Sequence, residues 1–216
     1  MSFLKNNINN AKTLWDDCVN KSFIQELKTG DLKESKFINF LIQDVLYLKA
    51  HAKVYGKALF ISETLEDYRV FHSVLGVIDN SDDSIQWNYI NHYNLTDEYI
   101  SETPAKTETQ ESIDFIMKIA HQDDIRKILV AILPCLLSYS YIFQKLNEDP
   151  LSKTSPYANL IHNYASQSYK ESCDYWIEYT ERKCANSTIQ EEKELSQIFK
   201  KANELELNFW EMLSKS

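Results

Sequence analysis

Apolar residues return at three- and four-residue steps from the start of the chain. Phe3, Ile8, Ala11, Leu14, Trp15, Cys18, Phe23, Ile24 and Leu27 form one such series, with the period of an amphipathic helix. Gly30 suits the left-handed position that closes it. The pattern resumes over Ser35 to about Ser62, where Phe37, Phe40, Leu41, Asp44, Leu48 and His51 share a stripe. A third helix is expected over 63–79 and a fourth over 83–94, with Asn80, Ser81, Asp82 and Asp83 as a turn and cap between them. Asn94 to Thr109, with Pro104, reads as the longest irregular connection. A fifth helix follows over Glu111–His121. Asp123 or Asp124 then caps a sixth, which runs to Leu146 and is ended by the Asn147–Pro150 cluster. Pro156 opens a seventh through Tyr164, continuing to Tyr179 as one helix or two. Ser187 or Thr188 caps a last helix, Ile189 to about Leu213. No alternating strand pattern, repeat or low-complexity block occurs. The expected architecture is all-α: one domain over residues 1–216, a bundle of seven to eight helices.

Composition agrees with that pattern. Three glycines and four prolines leave few helix breakers, and 44% hydrophobic residues are enough for a core. The formal charge of -9, from 23 basic against 32 acidic side chains, argues against a nucleic-acid partner, which needs a basic field. The first fifteen residues lack the apolar run of a signal peptide. The most apolar stretch, Ile128–Phe143, is interrupted by Pro134, Ser138 and Ser140, so no membrane span is expected. A cytoplasmic location follows, with Cys18, Cys135, Cys173 and Cys184 as thiols. No Cys/His spacing matches a zinc site, and no His has the Glu three residues before it that di-iron bundles use. No metal is expected.

Three groups could carry chemistry. Asp44 lies on the apolar stripe of its helix with Tyr47 beside it. A carboxylate there needs partners, because burying it alone is costly. Pro134 sits inside the sixth helix, Cys135 follows it, and Tyr139 lies one turn on. Taken alone, Cys135 reads more readily as an inert core thiol than as a nucleophile, since no Lys, Arg or His lies within a turn of it. Glu206 shares a helix face with Phe209 and Trp210. It reads either as a solvated edge residue or as an acid whose pKa an apolar surrounding raises. Tyr47, Tyr139, Tyr157 and Tyr164 all fall on inferred inner faces. They suit a planar heteroaromatic ligand, and an ordinary core equally well.

Together these residues resemble the TenA family, thiaminase II. The resemblance rests on F-x-x-F-L-x-Q-D-x-x-Y-L (Phe37–Leu48), P-C-x-x-x-Y (Pro134–Tyr139), P-Y-x-x-L-I-x-x-Y (Pro156–Tyr164) and E-x-x-F-W (Glu206–Trp210), in order over nearly the whole chain. It implies a haem-oxygenase-like helical bundle that needs no haem or other cofactor, assembled as a homotetramer. The implied activity is an aminopyrimidine aminohydrolase of thiamine salvage. It would convert 4-amino-5-aminomethyl-2-methylpyrimidine to the hydroxymethyl compound and also cleave thiamine. By the matching motifs, Cys135 is the nucleophile and Glu206 the acid/base. Asp44 binds the amino edge of the ring, Tyr47 and Tyr139 hydrogen-bond near the reacting groups, and Tyr164 lines the pocket.

Two positions depart from the family pattern. Ser112 stands where a Tyr is usual, and Leu160 where a Trp is usual. Loss of the phenol at Ser112 opens or rewets the pocket. It keeps a second function open, a pyrimidine-binding or regulatory protein of the same fold without turnover.

Overall fold

The computed structural model describes residues 2–78 and 84–215, so the turn expected at Asn80–Asp83 lies outside the described residues. The described residues hold no strand. They form eleven α-helices: α1 (Phe3–Val19), α2 (Ser22–Thr29), α3 (Glu34–Phe60), α4 (Leu65–Ser73), α5 (Ile85–His92), α6 (Asp97–Glu102), α7 (Thr107–Ala120), α8 (Ile125–Glu148), α9 (Ala158–Tyr164), α10 (Gln167–Cys184) and α11 (Ile189–Lys215). Short 3-10 turns span Leu75–Ile78 and Pro150–Thr154.

The all-helical expectation holds, with finer divisions than seven or eight helices. The first expected helix breaks after Val19, where Asn20 caps α1 and Lys21 turns extended. The Gln25 side chain donates to the exposed Val19 carbonyl at 2.6 Å and supports the break. The expected connection Asn94–Thr109 contains α6. Thr96 accepts from the Tyr99 amide at 3.2 Å as its N-cap, and Asp97 and Glu98 sit favourably in the first turn. The same Thr and acidic residues that read as a loop are the start signal of a short helix. Ile125 is the first residue of α8, and Asp124 accepts from the Arg126 amide at 2.9 Å just before it. α11 opens with a reciprocal capping box: Thr188 Oγ accepts from the Glu191 amide at 3.3 Å, and Glu191 accepts from the Thr188 amide at 2.7 Å.

The chain divides into two compact units, residues 1–33 with 129–216, and residues 34–128. The first unit is built on α1 and α11. Trp15 Nε1 donates to Asn203 Oδ1 at 2.6 Å, both buried, and beyond the end of α1 Lys21 meets Glu211 at 3.4 Å and the Phe23 amide, in α2, meets Ser214 Oγ at 3.1 Å. Phe3 and Asn10 line one surface cavity with Ile189 and Ser196, so the starts of α1 and α11 lie together and, with Trp15 at Asn203, the two helices run parallel. Both polar atoms of Asn203 have partners, because its Nδ2 donates to Phe199 O at 2.8 Å. Phe23, Phe143, Tyr179, Phe199 and Trp210 are fully buried in this unit. Gly30 closes α2 at φ 86°, as its sequence position implies, and a Cβ there would meet Pro156 Cδ at 2.8 Å. The position is therefore closed to other residues by backbone and by packing.

The second unit is organised on α3, which packs against α4, α5, α6 and α7. Phe37, Phe40, Leu41 and Phe71 are its fully buried large side chains. Gln43, itself buried, holds the segment after α6. Its Nε2 donates to Pro104 O at 3.3 Å and its Oε1 accepts from the Lys106 amide at 2.8 Å.

The division between units falls inside α8, which runs unbroken through Pro134. By length and composition α8 is the one helix among the described residues able to cross a membrane, contrary to the reading that no run approaches a span. Of its most apolar window, 67% is buried inside the protein, the pattern of a core helix.

The Trp15–Asn203 bond gives a stability prediction. Asn203→Ala leaves the buried Trp15 N–H without its acceptor and costs about 1–3 kcal/mol. Urea unfolding of the two proteins, compared at constant m-value, measures it.

Candidate active site

In the second unit, α3 buries Asp44 and Tyr47 on one face, at 4% and 8% exposure. Gln86, buried on α5, donates its amide to Asp44 Oδ2. A neutral amide on one oxygen satisfies part of a buried carboxylate without neutralising it. Gln86 is a candidate site residue, by its bond to Asp44, that sequence reasoning missed. Its only signal was an amide inside the apolar run of α5. Tyr47 packs edge-on against the His51 imidazole at 4.6 Å, and His51 Nδ1 lies 3.4 Å from the Tyr55 hydroxyl. Ser112, on α7, is buried, and its hydroxyl donates to Glu108 O of its own helix at 3.0 Å. That hydroxyl stays with the backbone and does not replace a phenol.

In the first unit, α8, α9 and α11 meet through rings. Tyr139 contacts Tyr164 at 5.2 Å and Trp210 at 5.3 Å, and Tyr164 contacts Phe143 at 5.0 Å and Tyr169 at 5.1 Å. Cys135 lies one turn before Tyr139, and Glu206 one turn before Trp210. Both are thus a helical turn from the same pair of touching rings. The turn that carries Cys135 is buttressed by α10: Tyr169 OH donates to Leu136 O at 3.4 Å, and Cys173 Sγ approaches the same oxygen at 3.7 Å.

Glu206 is buried to 5% exposure, which removes the reading of a solvated edge residue. None of the four cysteines is in a disulfide, and Cys135 alone is not fully buried. Burial, and after it the Glu206 carboxylate, push the Cys18 thiol well above its ordinary range. Burial pushes Cys173 up to about 11. Both stay protonated at neutral pH and are poor nucleophiles. That leaves Cys135 as the accessible thiol among those that could share a site with Glu206.

The sequence profile of the TENA/THI-4/PQQC family matches residues 8–216. The chain belongs to this family. Among its relatives in TENA/THI-4/PQQC are two aminopyrimidine aminohydrolases, each 27% identical. The one from Halalkalibacterium halodurans aligns over 98% of this chain and 95% of its own, and the one from Helicobacter pylori over 96% of each. Among solved structures, a TenA family transcription regulator from a Silicibacter species superposes with a TM-score of 0.86 at 21% identity, over 99% of this chain and 97% of that one. A TenA homologue from P. horikoshii gives 0.83 at 21% identity, over 100% and 99%. The structural likenesses establish the TenA fold.

His51 sets a pH dependence. It is 3% exposed, and burial lowers its pKa from 6.5 to about 4. The unfolded chain therefore binds the proton first as pH falls. The contribution is fully present above pH 6.5 and is lost between 6.5 and 4, by about 3 kcal/mol. Urea titrations at pH 7 and pH 4 are expected to show this loss, and His51→Phe is expected to remove that share of it.

Proposed function

We propose that this protein is a cysteine-dependent aminopyrimidine aminohydrolase with thiaminase II activity. Its substrate would be 4-amino-5-aminomethyl-2-methylpyrimidine, with thiamine as a second. The observation that carries the reading is the ring cluster of Tyr139, Tyr164 and Trp210, which ties the helices of Cys135 and Glu206 together. The family match and the 27% identical aminohydrolases support it.

In this reading Asp44, held by Gln86, accepts from the ring's 4-amino group and pairs with the neighbouring ring nitrogen. Tyr47 and Tyr139 hydrogen-bond beside the reacting groups, and Tyr164 lines the ring's surroundings. The Cys135 sulfur adds to the ring carbon next to the one that bears the aminomethyl group. A proton moves to the ring nitrogen as the ring loses aromaticity. The electron pair then returns through the ring, the exocyclic carbon–nitrogen bond breaks, and Glu206 protonates the departing amine. Water adds to the exocyclic methylene and gives its proton to Glu206. Loss of Cys135 sulfur restores the aromatic ring, leaving hydroxymethylpyrimidine and ammonia. A homotetramer is part of the same proposal, so light scattering should give four times the 25.3 kDa chain.

One observation favours the other function, binding without turnover: the Ser112 hydroxyl stays on its own helix. Ammonia release from the aminomethyl substrate separates the two. Wild-type protein should release it, Cys135→Ala should fall to background while still binding the pyrimidine, and Glu206→Gln should lose about 10²–10⁴-fold in kcat. Turnover that survives Cys135→Ala removes the nucleophile assignment, and tight pyrimidine binding by a wild type that releases no ammonia establishes the binding function.

A further inference from the structure

α3 carries a third polar group on the stripe of Asp44 and Tyr47. At about 100° per residue, His51 falls between them in azimuth, and at 1.5 Å per residue it stands about 10 Å along the axis from Asp44. Its Nδ1 faces the Tyr55 hydroxyl at 3.4 Å. Its Nε2, across the ring, is buried and has no hydrogen-bond partner among the described residues. Orphaned buried polar atoms are rare in native proteins and call for an explanation. Burial keeps the ring neutral at physiological pH, with its pKa near 4. A neutral imidazole can accept from an amine, whereas a charged one would repel it.

We propose that His51 is a further substrate-binding residue, whose Nε2 accepts a hydrogen bond from the amine on the pyrimidine's exocyclic methylene. The inference rests on reading Asp44 and Tyr47 as the pyrimidine-binding pair. With the 4-amino edge held at Asp44, the substituent on the adjacent ring carbon is the polar part that extends further along the stripe. Nδ1–H donates to the Tyr55 hydroxyl, which leaves the Nε2 lone pair for the ligand. His51 thereby selects substrates with an N–H-bearing leaving group.

Calorimetry in a Cys135→Ala background tests this with two ligands: the aminomethyl pyrimidine, and 4-amino-2,5-dimethylpyrimidine, which lacks the amine. His51→Phe is expected to weaken the aminomethyl ligand about tenfold and leave the dimethyl ligand unchanged. Its melting temperature is measured alongside to check that it folds, because the change removes both the unsatisfied Nε2 and the Nδ1 bond to Tyr55. His51→Gln, whose amide reaches the Nε2 position, is expected to recover part of the loss. Equal losses on both ligands, or no loss on either, overturn the proposal, and so does a loss that Gln does not relieve at all. Failure of the Cys135→Ala protein with His51 intact to bind either ligand is a different result. It removes the pyrimidine-binding reading of Asp44 and Tyr47, and the role of His51 with it.

Discussion

The cost of taking a polar group out of water governs this molecule. An all-helical chain satisfies its own backbone, so the inner faces of its helices can be almost entirely apolar. Any carboxylate, amide or imidazole placed there must find a hydrogen-bond partner or lose several kcal/mol. Asp44, Gln43, His51, Gln86, Asn203 and Glu206 are all buried. Asn203 meets the demand, with Trp15 on its oxygen and Phe199 O under its nitrogen. Gln43 does so by holding the segment around Pro104 and Lys106. These two are scaffold. Asp44 takes the Gln86 amide, while His51 Nε2 receives nothing from the described residues. Whether a buried polar atom finds its partner inside the protein is the criterion that singles out His51 Nε2.

The same criterion shows what could be read before the structure. The stripe on α3 was legible because Asp44, Tyr47 and His51 recur at helical steps, and a carboxylate on such a stripe is conspicuous. Gly30 and Thr188 were legible because their local chemistry admits few alternatives. Gln86 was not, because its importance lies in a bond to Asp44, forty-two positions away in sequence. Periodicity reports which face a residue occupies and nothing about what faces it. α6 failed for a different reason. Thr96, Asp97 and Glu98 are polar whether they form a loop or a helix's first turn, and a six-residue helix is too short to show a period. The break between α1 and α2 failed because Asn20 and Lys21 interrupt neither the spacing nor the polarity of the outer face.

Glu206 shows where pattern reasoning stopped short of the chemistry. Its face was right, yet solvated and buried readings predict the same sequence. Burial to 5% exposure decides between them. The aromatic seam of Tyr139, Tyr164 and Trp210 adds the context that no single helix contains. Each ring is one motif's contribution, from α8, α9 and α11, so the motifs are spread through the sequence because the seam needs one ring from each helix.

Cys135 lacks a neighbouring cation in sequence, and the proposed reaction explains why none is required. A permanently ionised thiolate is useful when the nucleophile must wait in that form. Addition to a pyrimidine makes a ring nitrogen strongly basic as the carbon–sulfur bond forms, so the thiol's proton has a destination within the same step. The proton returns when the ring regains aromaticity and sulfur departs. A fixed positive charge would raise the thiolate fraction but weaken each thiolate as a nucleophile, and the proposed cycle does not depend on it. A buried carboxylate that exchanges protons with amine and water fits this cycle better than a lysine or arginine would. Burial also keeps Cys18 and Cys173 protonated, so in the proposed reaction neither would compete with Cys135.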